Sequence, residues 1–477
     1  MEFEAVIGLE VHAQLNTKSK MFCSCSTEFG KPPNTNICPV CTGQPGSLPV
    51  INKQAVKFAL KLALALNCKI NLTSIMARKN YFYPDLPKNY QISQYEVPLA
   101  KEGAVQIEIN GKKKKIGLIR IHMEEDAGKL VHDEQKPISY VDFNRAGIPL
   151  LEIVSKPEIS SPEEAVAYLK ALRSVLRYLG ICDGNMEEGS LRCDANVSIR
   201  PKGSSKLGTK VELKNMNSFK HVERALAYEI KRQIGLLLEG KEIVQETRLY
   251  DDATQTTQPM RTKEEAHDYC YFPDPDLIEI RVDEEWLESI KKEIPELPLD
   301  KKERFKKEYN LSDYEASILT EERTLAEFFE KVCKIYNKPK TVANFVLTEV
   351  LRMLNQEKID IAESKLTPEF LAELLELVDK GIISITTAKK IFPEVFLEGK
   401  KPSKIVEEKG LVQESSEEKL LAICKEVLQE HPKEVEKYKA GKKGLLGFFV
   451  GQVMKKTKGK ANPKIVNQLF VKLLEDK

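Results

Sequence analysis

A single tryptophan and six histidines serve a chain of 477 residues, and net charge is nearly absent at +2. No apolar run approaches the roughly 20 residues that a membrane helix needs. The opening stretch "MEFEAVIGLEVHAQL" has neither the basic start nor the apolar core of a signal peptide, so a cytoplasmic location is expected. The usual phosphate cradles are missing as well. There is no G-x-x-x-x-G-K-[ST], no strand-linked G-x-G-x-x-G, and no kinase-type glycine loop followed by V-A-I-K. A G-x-S-x-G nucleophile elbow is also lacking. Any ATP chemistry must therefore use another cradle.

What is present is length, too much for one core. Strand-like stretches dominate the first part: "VIGLEVHAQL", "AVQIEINGKKKKIGLIRIH", "ISYVDFNRAGIPLLEIV", "LRCDANVSIRP" and "KVELKNMNSF" alternate or run apolar between Gly, Pro and Asn. A hairpin is expected at Asn110-Gly111. One helix starts after Ser160-Ser161, with Pro162 in its first turn, and ends at Gly180; a second ends at Gly240. Beyond "EEWLESIKKEIPELPLDKKERFKKEYNLSDYEA" strand signals vanish, and "FLEGKKPSKIVEEKG" marks a further break. The expected fold is α+β. A large mixed or antiparallel-sheet catalytic body covers 1–293, an all-helical middle domain covers 294–405, and a basic helical tail covers 406–477. From His431 to Lys477 twelve Lys stand against four acids, a local excess of +8. That suits a polyanion partner, and equally a solvated helix face.

"FCSCSTEFGKPPNTNICPVC" places Cys23-x-Cys25 and Cys38-x-x-Cys41 across a short loop at 23–41. Two close pairs match a tetrahedral four-cysteine zinc site, structural because no position stays open for water. The loop has too few apolar residues to fold by itself, so a metal staple supplies what a core cannot. Disulfides are the rival reading, disfavoured in a cytoplasmic chain.

Glu10-x-His12 puts a carboxylate and an imidazole on one face of a strand. "LIRIHMEEDAGKLVHD" offers Glu124 and Glu125, "GNMEEGSLRCDANVSIRP" offers Glu187, Glu188 and Asp194, and "KVELKNMNS" offers Glu212 between Lys210 and Lys214. Each segment alone reads as a solvated surface. Several carboxylates converging on one imidazole would repel one another unless a cation held them, and Mg²⁺ suits oxygen ligands and phosphate-bearing substrates.

"VIGLEVHAQL", "CPVCTGQPGSLPVIN", "RKNYFYPDLPKNYQISQYEVPL", "VDFNRAGIPLLEIVSKP", "EEGSLRCDANVSIRP" and "KNMNSF" together resemble the B subunits of the aspartyl/glutamyl-tRNA amidotransferase, and "VGQVMKKTKGKANPKIVNQLF" resembles their basic tail. The resemblance spans nearly the whole chain. It implies that ATP and Mg²⁺ are used to phosphorylate the side-chain carboxylate of a misacylated tRNA, Glu-tRNA(Gln) or Asp-tRNA(Asn). Ammonia from a glutaminase A subunit then displaces phosphate, and a small C subunit helps hold A and B together. A carboxylate is a poor electrophile, so phosphate supplies the leaving group, and the transfer needs charge neutralisation and in-line positioning.

Carried over by motif, Glu10, His12 and Glu125 form the Mg²⁺ neighbourhood, with Asp194 and Glu212 as further carboxylates. Arg78 and Lys79 would face ATP phosphate or the tRNA terminus, and Tyr81 and Tyr83 would stack on the terminal adenosine. Given such a partner, Lys442, Lys443, Lys455, Lys456, Lys458 and Lys460 read as a phosphate-backbone footprint on tRNA. The alternative is a non-catalytic, zinc-stabilised scaffold that presents tRNA to an enzymatic partner; it has no need of the acidic strands.

Overall fold

The computed structural model describes residues 2–133, 135–260, 269–412, 417–457 and 461–475. They form two units, Met1–Pro298 and Leu299–Lys477.

Alternation sets the strands of the first unit. Strand Phe3–Gln14 buries Ile7, Leu9, Val11 and Ala13 on one side and leaves Glu10, His12 and Gln14 on the other. It runs near the middle of a sheet of ten described strands, between antiparallel neighbours Pro149–Ser155 and Leu191–Pro201. Outside Pro149–Ser155 come Lys112–Glu125, Ala100–Lys101 and Lys69–Ile70; outside Leu191–Pro201 come Val211–Lys214, Thr247–Asp251 and Thr256–Pro259. Val211–Lys214 pairs with Thr247–Asp251 in parallel, so the sheet is mixed. The hairpin at Asn110-Gly111 forms, with φ of 52° and 73° at the two turn residues, as a tight two-residue turn requires.

Helices Lys53–Ala65, Pro162–Tyr178 and Phe219–Leu238 cover one face of this sheet. Ser161 and Ser218 start two of them, accepting from the backbone N–H of Glu164 and His221. Their apolar sides join Leu9, Val11, Ile121, Met123, Leu151, Ile153 and Val197 in one continuous core. The other face carries charge. A small sheet of Cys270–Pro273, Ala77–Asn80 and Tyr90–Ser93 belongs to the same unit.

The second unit is helical throughout its described residues. It holds two separate apolar cores, one from Phe305 to Val406 and one from Leu420 to Leu474. The expected boundary at 405/406 falls inside helix Pro402–Glu408, whose Ile405 and Val406 are buried in the middle core. Leu411 still packs there, so the interruption between cores comes after it. Among the described residues no helix is long and apolar enough to cross a membrane.

Candidate functional site

Across four neighbouring strands the register makes His122, Glu152, His12 and Arg192 successive cross-strand partners. Such partners stand about 5 Å apart on the face away from the helices. His12 Nε2 lies 3.6 Å from Glu10 Oε1, 3.7 Å from Glu124 Oε1 and 3.6 Å from Glu152 Oε2. Asp194 sits opposite Glu10 and groups with Glu10 and His12 within 4.8 Å. Glu212 joins through Lys214, whose ammonium is 3.3 Å from both Asp194 and Glu212. Glu10, His12, Asp194 and Glu212 therefore share one face, as the sequence suggests.

Glu125 does not join them, which corrects its expected place beside His12. Its carboxylate pairs with Lys88 and accepts from the Ile92 N–H at 2.9 Å. The reason is a β-bulge. Arg120 pairs with Val154 but Leu118 pairs with Ser155, so Ile119 is an extra residue in its strand. Before it, Ile116 and Leu118 face the core; after it, Ile121 and Met123 do. The swap turns His122 and Glu124 toward His12 and turns Glu125 away. Glu125 instead lines a cavity of about 200 Å³ together with Lys20, Phe22, Cys41, Lys88 and Gly147.

The cluster is suited to a cation. Burial pushes the Glu10 carboxyl up, and the charge of Glu152 adds to it. Burial works against a proton on His12, but Glu152, Glu124 and Glu10 outweigh it and raise the imidazole's pKa. Glu152 is held far below the usual carboxylate range despite its burial, by hydrogen bonds and charge from His12 and His122. The three carboxylates favour positive charge at His12, which a divalent ion among the same atoms would supply instead. Two donor sets fit one, Glu10–His12–Asp194 and His12–Glu124–Glu152.

The four cysteines also converge, with sulfurs within 4.8 Å of one another. The Cys41 thiol is brought down to about 4. A hydrogen bond from Cys23 does most of this, burial opposes it, and the Cys38 N–H and the Lys20 ammonium assist. Cys23 moves up in return, through that same bond and burial. Sulfurs crowded this closely make a fitting tetrahedral set for zinc.

Arg78 and Lys79 face opposite ways on strand Ala77–Asn80. Arg78 is engaged by Asp274 at 2.9 Å and Asp276 at 2.8 Å and lies over the Tyr90 ring. Lys79 lies over the rings of Tyr269, at 4.7 Å, and Tyr81, at 5.7 Å. Burial raises the phenol pKa values of Tyr81 and Tyr271, and nearby Glu124 adds to both, with Glu152 acting on Tyr271. Tyr81 thus feels the charge of Glu124, Lys79 lies over its ring, and Tyr83 is exposed. In the tail, Lys456 pairs with Glu426 at 2.8 Å and Glu430 at 2.6 Å, and Lys443 lies over the Tyr438 ring. Lys442 and Lys455 are in the same tail, with Lys455 in the last turn of helix Leu446–Lys456. Lys458 and Lys460 lie outside the described residues.

Sequence reasoning missed Glu152, His122, Tyr269 and Tyr271. A signal for the first existed: "PLLEIVS" carries one acid in an otherwise apolar strand whose residues are nearly all buried.

Comparison with known proteins extends over the whole chain. The pattern described as the GatB/GatE catalytic domain matches residues 5–288, and that described as the GatB domain matches 327–474. The B subunit of the aspartyl/glutamyl-tRNA(Asn/Gln) amidotransferase of Thermodesulfovibrio yellowstonii is 60% identical over 476 residues, covering 100% of both chains. The protein of that name from Persephonella marina is 57% identical over the same span. That from Thermoanaerobacter pseudethanolicus is 58% identical over 470 residues, 98% of this chain and 99% of the relative.

Proposed function

Because the chain belongs to the family of aspartyl/glutamyl-tRNA(Asn/Gln) amidotransferase B subunits, we propose that its charged sheet face activates the side-chain carboxylate of Glu-tRNA(Gln) or Asp-tRNA(Asn) with ATP. Amidation by ammonia from an A-subunit glutaminase would follow, in a complex completed by a C subunit. The observation that carries this reading is His12, within 3.7 Å of Glu10, Glu124 and Glu152.

Glu10, His12, Glu124, Glu152 and Asp194 would hold Mg²⁺. When bound, Mg²⁺ supplies neutralisation of phosphate oxygens. The chain's own residues do the rest. Lys214 balances Asp194 and Glu212 and keeps the outer end of the row from repelling an incoming phosphate. Lys79 brings a positive charge to the rim, and Tyr81 offers a flat face for the terminal adenosine of tRNA. Arg78, already engaged by two aspartates, shapes this wall. The four cysteines would hold a structural Zn²⁺, and residues beyond the middle core would bind tRNA backbone through the tail lysines.

The test is ATP hydrolysis by the complex reconstituted with its A and C partners, with and without Glu-tRNA(Gln), beside Glu124→Gln. Stimulation by charged tRNA that vanishes in the mutant supports the reading. Equal, tRNA-independent turnover in both would leave this chain as a scaffold that holds tRNA.

A further inference from the structure

His122 has no part in the resemblance, yet it stands behind two carboxylates of the cluster. Its side chain is only 4% exposed. Nε2 lies 3.2 Å from Glu152 Oε2 and 3.8 Å from Glu124 Oε2. On the far side of the ring, Arg120 Nε donates to Nδ1 at 3.2 Å, and the same guanidinium reaches Glu152 Oε1 at 3.2 Å. The Ser93 hydroxyl donates to Glu124 Oε2 at 3.3 Å. Glu124 is held through Oε2 and presents Oε1 to His12, while Glu152 is held through Oε1 by Arg120 and shares Oε2 between His122 and His12.

These contacts also fix the ring's proton. Nδ1 accepts from Arg120, so the N–H must sit on Nε2, facing the acids.

We propose that His122, its tautomer set by Arg120, is a positioning residue that aims Glu124 and Glu152 at a divalent cation beside His12. The idea rests on the phosphotransfer reading above and adds to it the element that orients the ligands. Groups that hold metal-binding carboxylates from behind commonly set affinity by about tenfold to a hundredfold when lost.

Mn²⁺ binding to the complete A–B–C complex, followed by the electron paramagnetic resonance of free Mn²⁺, tests the proposal. Glutamine can place an N–H where Nε2 stands, while asparagine reaches only the Nδ1 position. His122→Gln should therefore stay within about threefold of the parent affinity, and His122→Asn should bind about tenfold to a hundredfold more weakly, at matching thermal midpoints. A role in stability alone would lower the midpoints and leave affinity intact. Should His122→Asn fail to fold, Arg120→Gln answers instead. Removing a positive charge would tighten a cation by electrostatics alone, whereas loss of the tautomer lock weakens it. Tighter binding in Arg120→Gln, or unchanged binding in His122→Asn while His12→Ala binds none, overturns the positioning role and leaves the phosphotransfer reading standing. Parent complex that binds no Mn²⁺, or His12→Ala that binds as well as the parent, overturns the cation site itself and this inference with it.

Discussion

The Lys20 ammonium, fully buried, lies 3.6 Å from the Cys41 sulfur and donates to the Phe143 carbonyl at 3.1 Å. A buried ammonium needs a counter-charge, and here it is sulfur. A zinc ion held by the four thiolates would carry a net charge of about −2, which Lys20 would partly balance. Lys20→Met should therefore speed zinc transfer to a chromogenic chelator, and the uncompensated thiolates should cost the first unit about 3–5 kcal/mol. A zinc-release rate equal to the parent's would show that Lys20 serves only the cavity it lines.

Chelation itself should be felt at that cavity. Lys20 and Cys41 both border it, and the Met21 N–H donates to the Gly147 carbonyl beside them. Stripping zinc should increase proteolysis within 23–49 and raise amide exchange around Gly147. Protection unchanged there after full zinc loss would mean the four sulfurs do not brace the loop.

Glu124 and Glu125 should separate cleanly. Glu124→Gln should weaken Mn²⁺ binding by about tenfold or more, because the side chain is placed to be a ligand. Glu125→Gln should leave it nearly unchanged, since that carboxylate belongs to Lys88 and the cavity. The reverse order in a titration would contradict the geometry.

The tail can be removed without opening the middle core if the cut follows Val412 rather than Ile405. Val406 is 2% exposed within that core, and Leu411 packs against it. The shortened complex should keep its glutaminase activity and lose tRNA affinity. The slope of log affinity against log salt should fall by about 0.9 for each phosphate that the tail neutralises. Equal tRNA affinity before and after the cut would take the tail out of recognition.

Glu315 gives the second unit a pH dependence. Its carboxylate accepts from Lys340 at 2.9 Å and from the Ser312 N–H at 2.7 Å, closing a capping box. Lys340 first, then Ser312, bring it from 4.5 down to about 2. The folded value is the lower one, so the stabilisation is complete above 4.5 and is lost as pH falls through about 2. Glu315→Gln should cost about 1 kcal/mol at pH 7. Thermal midpoints of parent and mutant should converge as pH approaches 2; a gap that persists there would assign the cost to packing.

Local features of this chain were legible in its sequence because they are decided locally. Ser161 as a cap, the Asn110-Gly111 turn, and the strand Phe3–Gln14 follow from short-range chemistry. The convergence of the site is not local. Leu9 and Ser155, hydrogen-bonded at 2.8 Å, are 146 residues apart in the chain. The choice between Glu124 and Glu125 was hidden for a subtler reason. Counting by twos from Leu118 sends Glu124 into the core and Glu125 to the charged face, and only the extra residue at Ile119 reverses that count. A bulge leaves no mark in composition, and Glu125 enters the expected Mg²⁺ neighbourhood by motif rather than by counting along the strand. Glu152 was overlooked because one acid among buried aliphatics reads as an exception until its cross-strand partners, His12 and His122, are known.

That bulge gives the strand one residue to spare at the site. Excising Ile119, itself 46% exposed, would remove little packing. It would also leave Leu118, Ile121 and Met123 on the core side and His122 and Glu124 on the charged face, because without the extra residue these side chains alternate regularly. The extra residue is thus a spare: the strand can lose one position at Ile119 and still present the same side chains to His12.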